Sequence, residues 1–569
     1  MEEHSDSRKV QYLVCLAVSL AAVTAGVSVY WSTPMIPKFH DHQADLDITE
    51  EEVSWMASMS SPGYMAGSLA SRFLADSLGR RLSILATALP ITLGTILVLC
   101  ATKAWMLYIT RFLWGCGTGL FVTVSSIYLV EIADKDIRGA LSVGSRLMFN
   151  FGSFLVMSIG PFVAYQTLNF MLLALPIIYF VACWWIPETP YYFLKEGKVE
   201  SARKDLQILR GYKDEKVLED QLSVMQSDVS KEMRRSGTAK ELFTGKQYRR
   251  AIIVAVGIKL TQVMSGSIPI QQYLGRIIQE SNTKMEVSTA LIIFGAIRFV
   301  VGIFATLFVD KIGRRPLLIL SYFGTSLCLA TVGVYFYYQE VVGIENESSS
   351  PYRHITFIGI ILGTVLSTLG FDSLIFVIPA EIFPINVKSI AMTSYNIFGG
   401  CMNFVAVKGY QEVKNLAGLH GVFLYFAVSA LIGSVFSYFV APETKGKSLR
   451  QIQIELQGNI YDEGEESLNK DVGENENAKE IVVADSVELK ELNNETDESF
   501  ETSGRNSNCA SSMYEGFLYY NRWLSTRLFV GILLPPDFGR LPFLNCPPDG
   551  AAVTSLRTHH YTTLNISIQ

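Results

Sequence analysis

Charge is scarce in this chain of 569 residues: 18% are Asp, Glu, Lys or Arg, against about 25% in an ordinary soluble protein. That is too little to clothe a soluble body of this size. Histidine is scarcer still, with seven residues and no HExxH or comparable ligand spacing, so no metal site is expected. The eight cysteines form no CxxC, and six of them (Cys15, Cys100, Cys116, Cys183, Cys328, Cys401) stand inside apolar runs, which excludes a secreted disulfide scaffold. No GxxxxGK[ST] loop is present to cradle a nucleotide phosphate. The net charge of −6 sits mostly in the tail, which disfavours nucleic acid as a partner. With no catalytic constellation and no cofactor motif, the chain does not read as an enzyme.

What the chain has is apolar runs, in a sequence that is 49% apolar. Runs of about 20 residues fall near 12–35, 53–74, 82–102, 105–129, 140–163 and 168–186. They resume near 250–273, 286–309, 317–338, 354–378, 388–410 and 418–440. In hydrocarbon each backbone polar group must be satisfied within its own segment, so each run is expected to be a helix. The expectation is an all-α polytopic membrane protein of 12 transmembrane helices in two six-helix halves, 11–186 and 249–441. A cytosolic N-terminus (1–10), a cytosolic central loop with short helices (187–248), a short cytosolic motif and helix (442–457) and a tail (458–569) complete it. Met1–Val10 carries no cleavage site, so the first run reads as an anchor.

Loop charge orients the spans. Arg80/Arg81, Lys135/Arg138, Lys311/Arg314/Arg315 and Lys388 occupy short loops of one side, and acidic loops (Asp41 to Glu52; Glu340 to Glu347) the other. The positive-inside rule then places both termini and the central loop in the cytosol, with a plasma-membrane location expected. Asn346-Glu-Ser348 becomes an external glycosylation sequon. From Gly458 to Gly504 there are 15 acidic residues against 3 basic, the composition of a disordered segment suited to cytosolic partners.

Three features of the first half return in the second. Asp76-Ser-Leu-Gly-Arg80-Arg81 reappears as Asp310-Lys-Ile-Gly-Arg314-Arg315. Glu131 with Arg138 reappears as Glu381 with Lys388, and Pro187-Glu188-Thr189 as Pro442-Glu443-Thr444. A duplicated six-helix unit with a site between the halves is the plan of alternating-access carriers. With Arg111-Phe-x-x-Gly115-x-Gly117-x-Gly119, Tyr128-x-x-Glu131, Pro187-Glu-Thr-Pro190, Gln262 with Gly266 and Glu381-Ile-Phe-Pro384, these motifs from about residue 11 to 456 resemble the sugar porter family of the major facilitator superfamily. Within it the chain is most similar to the insect facilitated trehalose and glucose transporters. The resemblance implies a gating network of Asp76, Arg80, Arg81, Glu131, Arg138 and Glu188 in the first half. In the second half it implies Asp310, Arg314, Arg315, Glu381, Lys388 and Glu443, the contacts closing and opening as the halves rock. Gly115, Gly117 and Gly119 read as close-packing residues.

The binding site departs from the family pattern. Where the family carries Gln-Gln-x-x-Gly-x-Asn on helix 7, this chain has Gln262-Val263-Met264-Ser265-Gly266-Ser267-Ile268, keeping one amide. Arg146 replaces a Gln on helix 5, Arg298 an Asn on helix 8, and Gly370-Phe-Asp372 stands where helix 10 carries Gly-x-Gly-Pro. Gly399-Gly400 replaces Asn-Trp on helix 11, with Asn403 surviving. Lost amides remove hydrogen bonds of about 1 kcal/mol each. Intramembrane cations such as Arg146, Arg298 and Lys259 cost about 2.5–3.5 kcal/mol each on insertion scales and face water-filled cavities as a rule.

Gln262, Asn403, Arg146, Arg298, Lys259 and Asp372 are therefore the candidate substrate-binding residues. Thr24 stands where proton-driven porters carry an Asp in helix 1, which points to facilitated diffusion. The expected function is transmembrane transport of a sugar, trehalose or hexose. The alternatives are a carrier of an anionic sugar derivative or organic anion, and a non-transporting sensor or scaffold.

Overall fold

The computed structural model describes residues 3–447 apart from 44–45, 135–136, 212–214, 235–237, 282–284 and 343–353, together with 451, 452 and 455. The side chains of Arg138 and Asp310 are outside that description, as are Asn346 and the tail from residue 456 on. The described residues hold helices and no strand.

Twelve crossings emerge. Among the described residues, nine helical stretches are long and apolar enough to cross a membrane. Val387–Val440 holds two of the crossings, because Gly418 (φ 69°, ψ −176°) breaks the otherwise continuous helix Ile385–Val440. Ser60–Ser77 and Arg138–Ile159 supply the other two. Both are rich in small and polar residues, as expected of helices that face partners instead of lipid.

Several spans are built from two helices. The first is Glu3–Tyr30 followed by Ser32–His40, and the second is Glu50–Ser58 followed by Ser60–Ser77. Glu50–Ser58 begins with a capping box in which Thr49 and Glu52 exchange side-chain and backbone bonds. The seventh span divides at Gly266 (φ 80°) into Arg249–Met264 and Ser267–Glu280, running further than its apolar stretch predicted. The tenth divides at Gly370 into Ile355–Leu369 and Phe371–Ile382. Such discontinuous helices leave carbonyl and N–H ends at mid-membrane depth, where transporters place their sites.

Small residues set how closely the helices approach. A Cβ on Gly115 would lie 2.2 Å from the Ser60 carbonyl oxygen and one on Gly119 2.2 Å from that of Tyr64, so the fourth span rests directly on the second. Gly117 instead meets Ile91 of the third. The central loop forms Val199–Arg210 and Glu215–Arg234, whose Ala202, Leu206, Leu209, Leu218, Leu222, Met225 and Val229 are buried. Apart from Leu209, these residues share one small core with Leu194.

Candidate functional site: a polar centre behind one sealed end

At one end of the bundle the repeated motifs assemble twice in the same way. Gly79 (φ 90°) and Gly313 (φ 106°) each precede a helix that opens with Arg-Arg. The Glu188 carboxylate accepts the backbone N–H of Arg80 at 3.0 Å and of Arg81 at 3.0 Å. Glu443 accepts those of Arg314 and Arg315, both at 3.1 Å. A carboxylate thus caps each helix where its dipole is positive. Glycine is required at both positions: the backbone is one side chains avoid, and a Cβ would stand 2.4 Å from Glu188 Oε2 and 3.0 Å from Glu443 Oε2.

The guanidinium groups then reach the fourth and tenth spans. Arg80 pairs with Glu131 at 3.2 Å and Arg314 with Glu381 at 3.2 Å. Thr189 Oγ1 donates to Glu131 at 2.5 Å, and Asp76 lies 3.9 Å from Arg80 and 2.9 Å from Lys195. Arg81 and Arg315 donate to the carbonyls of Trp184 and Tyr438. Lys388 is half-buried near Glu381. The two carboxylate caps differ electrostatically. Burial raises Glu188 above the usual carboxylate range in spite of the bonds it accepts from Thr189, Arg81 and Arg80. At Glu443, half-buried, the upward push of burial is outweighed by bonds from Lys445, Arg314 and Arg315, and its pKa is lowered. The pairs named here join helices of the same half.

The opposite end is joined by contacts that cross between the halves. Thr33 Oγ1 donates to the Gln271 carbonyl at 2.9 Å, and a Cβ on Gly275 would meet Pro37 Cγ at 2.4 Å and the Thr33 oxygen at 2.8 Å. Arg276 reaches Glu50 at 3.2 Å and Glu280 at 2.6 Å, while Lys414 adds a 2.7 Å bond to Glu280. Lys408 donates to Ser54 at 2.9 Å and lies 4.7 Å from the centre of the Trp55 ring. Gln279 donates to Asp41 at 3.0 Å. This end is closed.

Between the two ends four of the expected substrate residues, Gln262, Asp372, Arg146 and Lys259, come together. Asp372 occupies the first turn of Phe371–Ile382, again at a helix N-terminus. Its carboxylate accepts Gln262 Nε2 at 2.9 Å and Ser267 Oγ at 2.7 Å. The carbonyls of Asp372 and Ser373 accept Arg146 at 2.9 and 3.4 Å, a contact that crosses from the fifth span to the tenth. Arg146 and Phe376 lie 4.7 Å apart, guanidinium to ring centre, and both are exposed although they touch across the halves. They line a water-accessible space there.

Lys259 lies over Phe376 at 5.9 Å and Tyr395 at 5.6 Å, its stem crossing Gly399, where a Cβ would come within 2.3 Å of Lys259 Cε. Arg298 donates to Tyr30 Oη at 2.7 Å and covers its ring at 4.6 Å. Gln262 Oε1, Asn403 Oδ1 and Arg298 Nη1 are buried without partners.

Three contributors escaped the sequence reading. Ser267 helps hold Asp372, and Gln271 and Gln272, each 3% exposed, carry side-chain oxygens without partners. Ser265, Ser267 and Gln271 line a cavity of about 20 Å³ with Thr325, Thr364 and Ser367, room for about one water. The visible signal was the amide pair Gln271-Gln272 inside an apolar span.

Comparison with known proteins agrees with this architecture. The family model described as "Sugar (and other) transporter" matches residues 19–456. The facilitated trehalose transporter Tret1 of Bombyx mori is 28% identical over 449 residues, covering 78% of this chain and 86% of that protein. That of Polypedilum vanderplanki is 29% identical over 456 residues, covering 79% and 88%. Among solved structures, the proton:xylose symporter XylE bound to 6-bromo-6-deoxy-D-glucose superposes with a TM-score of 0.64 at 17% identity, covering 79% of this chain and 100% of that one. The inward open conformation of the xylose transporter XylE from E. coli gives 0.64 at 16% identity, covering 78% and 99%. At those identities the structures speak for the fold alone, the twelve-span major facilitator architecture. With a family model matching most of its length, this chain belongs to the sugar (and other) transporter family of membrane carriers.

Proposed function

We propose that the protein carries a sugar across a membrane by alternating access, down the sugar's own gradient. The observation that carries this reading is the separation of contacts. Salt bridges that cross the halves seal one end, the repeated motifs at the other end bond on their own side, and between them lies a polar centre with unsatisfied amide oxygens, itself crossed by the Arg146 and Arg298 bonds. Opening requires only that the crossing contacts part while each half stays intact. The motif clusters around Glu131 and Glu381 keep each half rigid and offer the charged surfaces that meet when the opposite end opens.

Trehalose and hexoses lead the substrate panel, because relatives are named as facilitated trehalose transporters. Gln262 and Asn403 are the amide contacts, with Arg146, Lys259, Arg298 and Asp372 setting the charge of the site. Uncoupled transport is favoured by Thr24, which is buried in the first span and donates to Leu20 of its own helix at 3.0 Å, where a coupled porter has an acid. The motif end is cytosolic on this reading, both termini lie there, and the protein is placed in the plasma membrane. The six-helix halves 11–186 and 249–441 move as the two bodies.

The test is uptake into proteoliposomes of labelled trehalose, glucose and sugar acids. Saturable uptake of any member is expected. Silence across the panel from protein shown to be folded refutes the transport reading.

A further inference from the structure

The polar centre holds three cations and one carboxylate, and among the described residues no ion pair joins them. Both oxygens of Asp372 are taken by neutral donors, Gln262 Nε2 and Ser267 Oγ. Arg146 spends its guanidinium on two backbone carbonyls and Arg298 on the Tyr30 hydroxyl. No carboxylate among the described residues lies within ion-pairing distance of either, or of Lys259. Lys259 is 8% exposed, feels the Asp372 charge without pairing to it, and has the aromatic faces of Phe376 and Tyr395 beside it, and Arg298 Nη1 is buried without an acceptor.

Arg111 shows what a purely structural cation looks like in this bundle. It is fully buried, and its guanidinium donates to the Ser28 and Val29 carbonyls at 2.6 and 3.3 Å and to Ser60 Oγ at 3.4 Å. Nothing comparable surrounds Lys259. Three positive groups against one negative leave a surplus of two charges, and Lys259, which lacks the carbonyl acceptors that hold Arg111 and Arg146, is left for water or a counter-ion to satisfy. The neutral polar atoms left over, Gln262 Oε1 and Asn403 Oδ1, are acceptors suited to hydroxyl groups.

A ligand that satisfies both sets has hydroxyls and a negative charge. We infer that the substrate of this carrier is a sugar bearing one anionic group, a sugar acid in the first instance. Lys259 Nζ and Arg298 Nη1 take the charge, and the oxygens of Gln262 and Asn403 accept hydroxyls. Phe376, shared by Lys259 and Arg146 across the two halves, forms the floor of the charged side. This deepens the sugar-transport reading and rests on it. It gives the departures from the family pattern one purpose: Lys259 fits only because Gly399 leaves space for its stem.

The experiment uses the full chain in proteoliposomes, with labelled D-glucuronate, glucose 6-phosphate, glucose and trehalose at zero and imposed membrane potential. D-Glucuronate is expected to half-saturate uptake at a concentration about tenfold below that of glucose, the worth of one charge-assisted bond. Its uptake should move negative charge and so quicken with an inside-positive potential. Lys259→Gln should erase the tenfold preference, and Lys259→Arg should keep it.

Preference for glucose 6-phosphate over glucuronate would retain the anionic assignment with phosphate as the group. Neutral-sugar uptake that ignores voltage and is not inhibited by glucuronate overturns the inference and leaves sugar transport standing. No uptake of any compound by folded protein overturns both. Should Lys259→Gln fail to fold, wild-type preference and voltage dependence decide alone.

Discussion

Gly275→Ala should shift the carrier between its states without unfolding it. The added Cβ would lie 2.4 Å from Pro37 Cγ and 2.8 Å from the Thr33 carbonyl oxygen, a proline ring and a backbone atom that cannot swing aside. Overpacking at such a site costs about 1–3 kcal/mol. Pro37 and Thr33 belong to the other half, so the cost falls only on the state in which this end is shut. The population of that state relative to the opened one should fall by a factor of about 5 to 150. A cysteine at Ser54, a buried position bonded to Lys408 at the same end, reports the change. In detergent-solubilised protein its maleimide labelling should accelerate by about fivefold or more, while uptake slows and the folded ensemble loses only the roughly 1 kcal/mol that such a shift itself implies.

Gly152→Ala is the control. Its Cβ would meet the Val23 carbonyl oxygen at 2.2 Å inside one half, so both states suffer alike. It should lower the melting temperature and leave Ser54→Cys labelling unchanged. If Gly275→Ala behaves as Gly152→Ala does, the contact is not specific to one state and the reasoning fails.

Two further predictions concern the motif end. Gly79→Ala forces an alanine into backbone at φ 90°, a cost of about 1–3 kcal/mol, and drives a Cβ to 2.4 Å from Glu188. Gly313→Ala meets Glu443 at 3.0 Å. Thermal unfolding should therefore drop further for Gly79→Ala, and equal drops would contradict the carboxylate-cap geometry. On acidification Glu188 should protonate first. Burial raises its pKa, so its charged form lowers stability at neutral pH, and that stability is regained as pH falls through the raised value. Glu443, with its pKa lowered, contributes stability above the usual Glu value of about 4.3, lost as pH falls through its own lower one. Infrared difference titrations of Glu188→Gln and Glu443→Gln against wild type should give midpoints above and below the usual value. The reverse order would refute the assignment.

The spans and the duplicated half were legible in the sequence because both rest on local chemistry. A run of about 20 apolar residues must be helical in hydrocarbon whatever surrounds it, and Asp76 to Arg81 announces its repeat at Asp310 to Arg315 by residue type alone. The candidate cations were legible too, since a charge inside an apolar run is conspicuous. Other features belong to the tertiary structure. Asp372 is visible in the sequence only as a charge inside an apolar run, while its oxygens go to Gln262 and Ser267, 110 and 105 residues away. Helix breaks at Gly266 and Gly370 bring those groups together, and no local pattern fixes the angle between the broken pieces. The bonds of Glu188 and Glu443 to backbone N–H, instead of to arginine side chains, depend on how a span end meets the turn below another helix. Which end of the carrier is shut depends on Gly275, Arg276 and Lys408 meeting partners from the other half. The same sequence must open that end to work, so composition and periodicity are blind to the state; only the packing of one half against the other decides it.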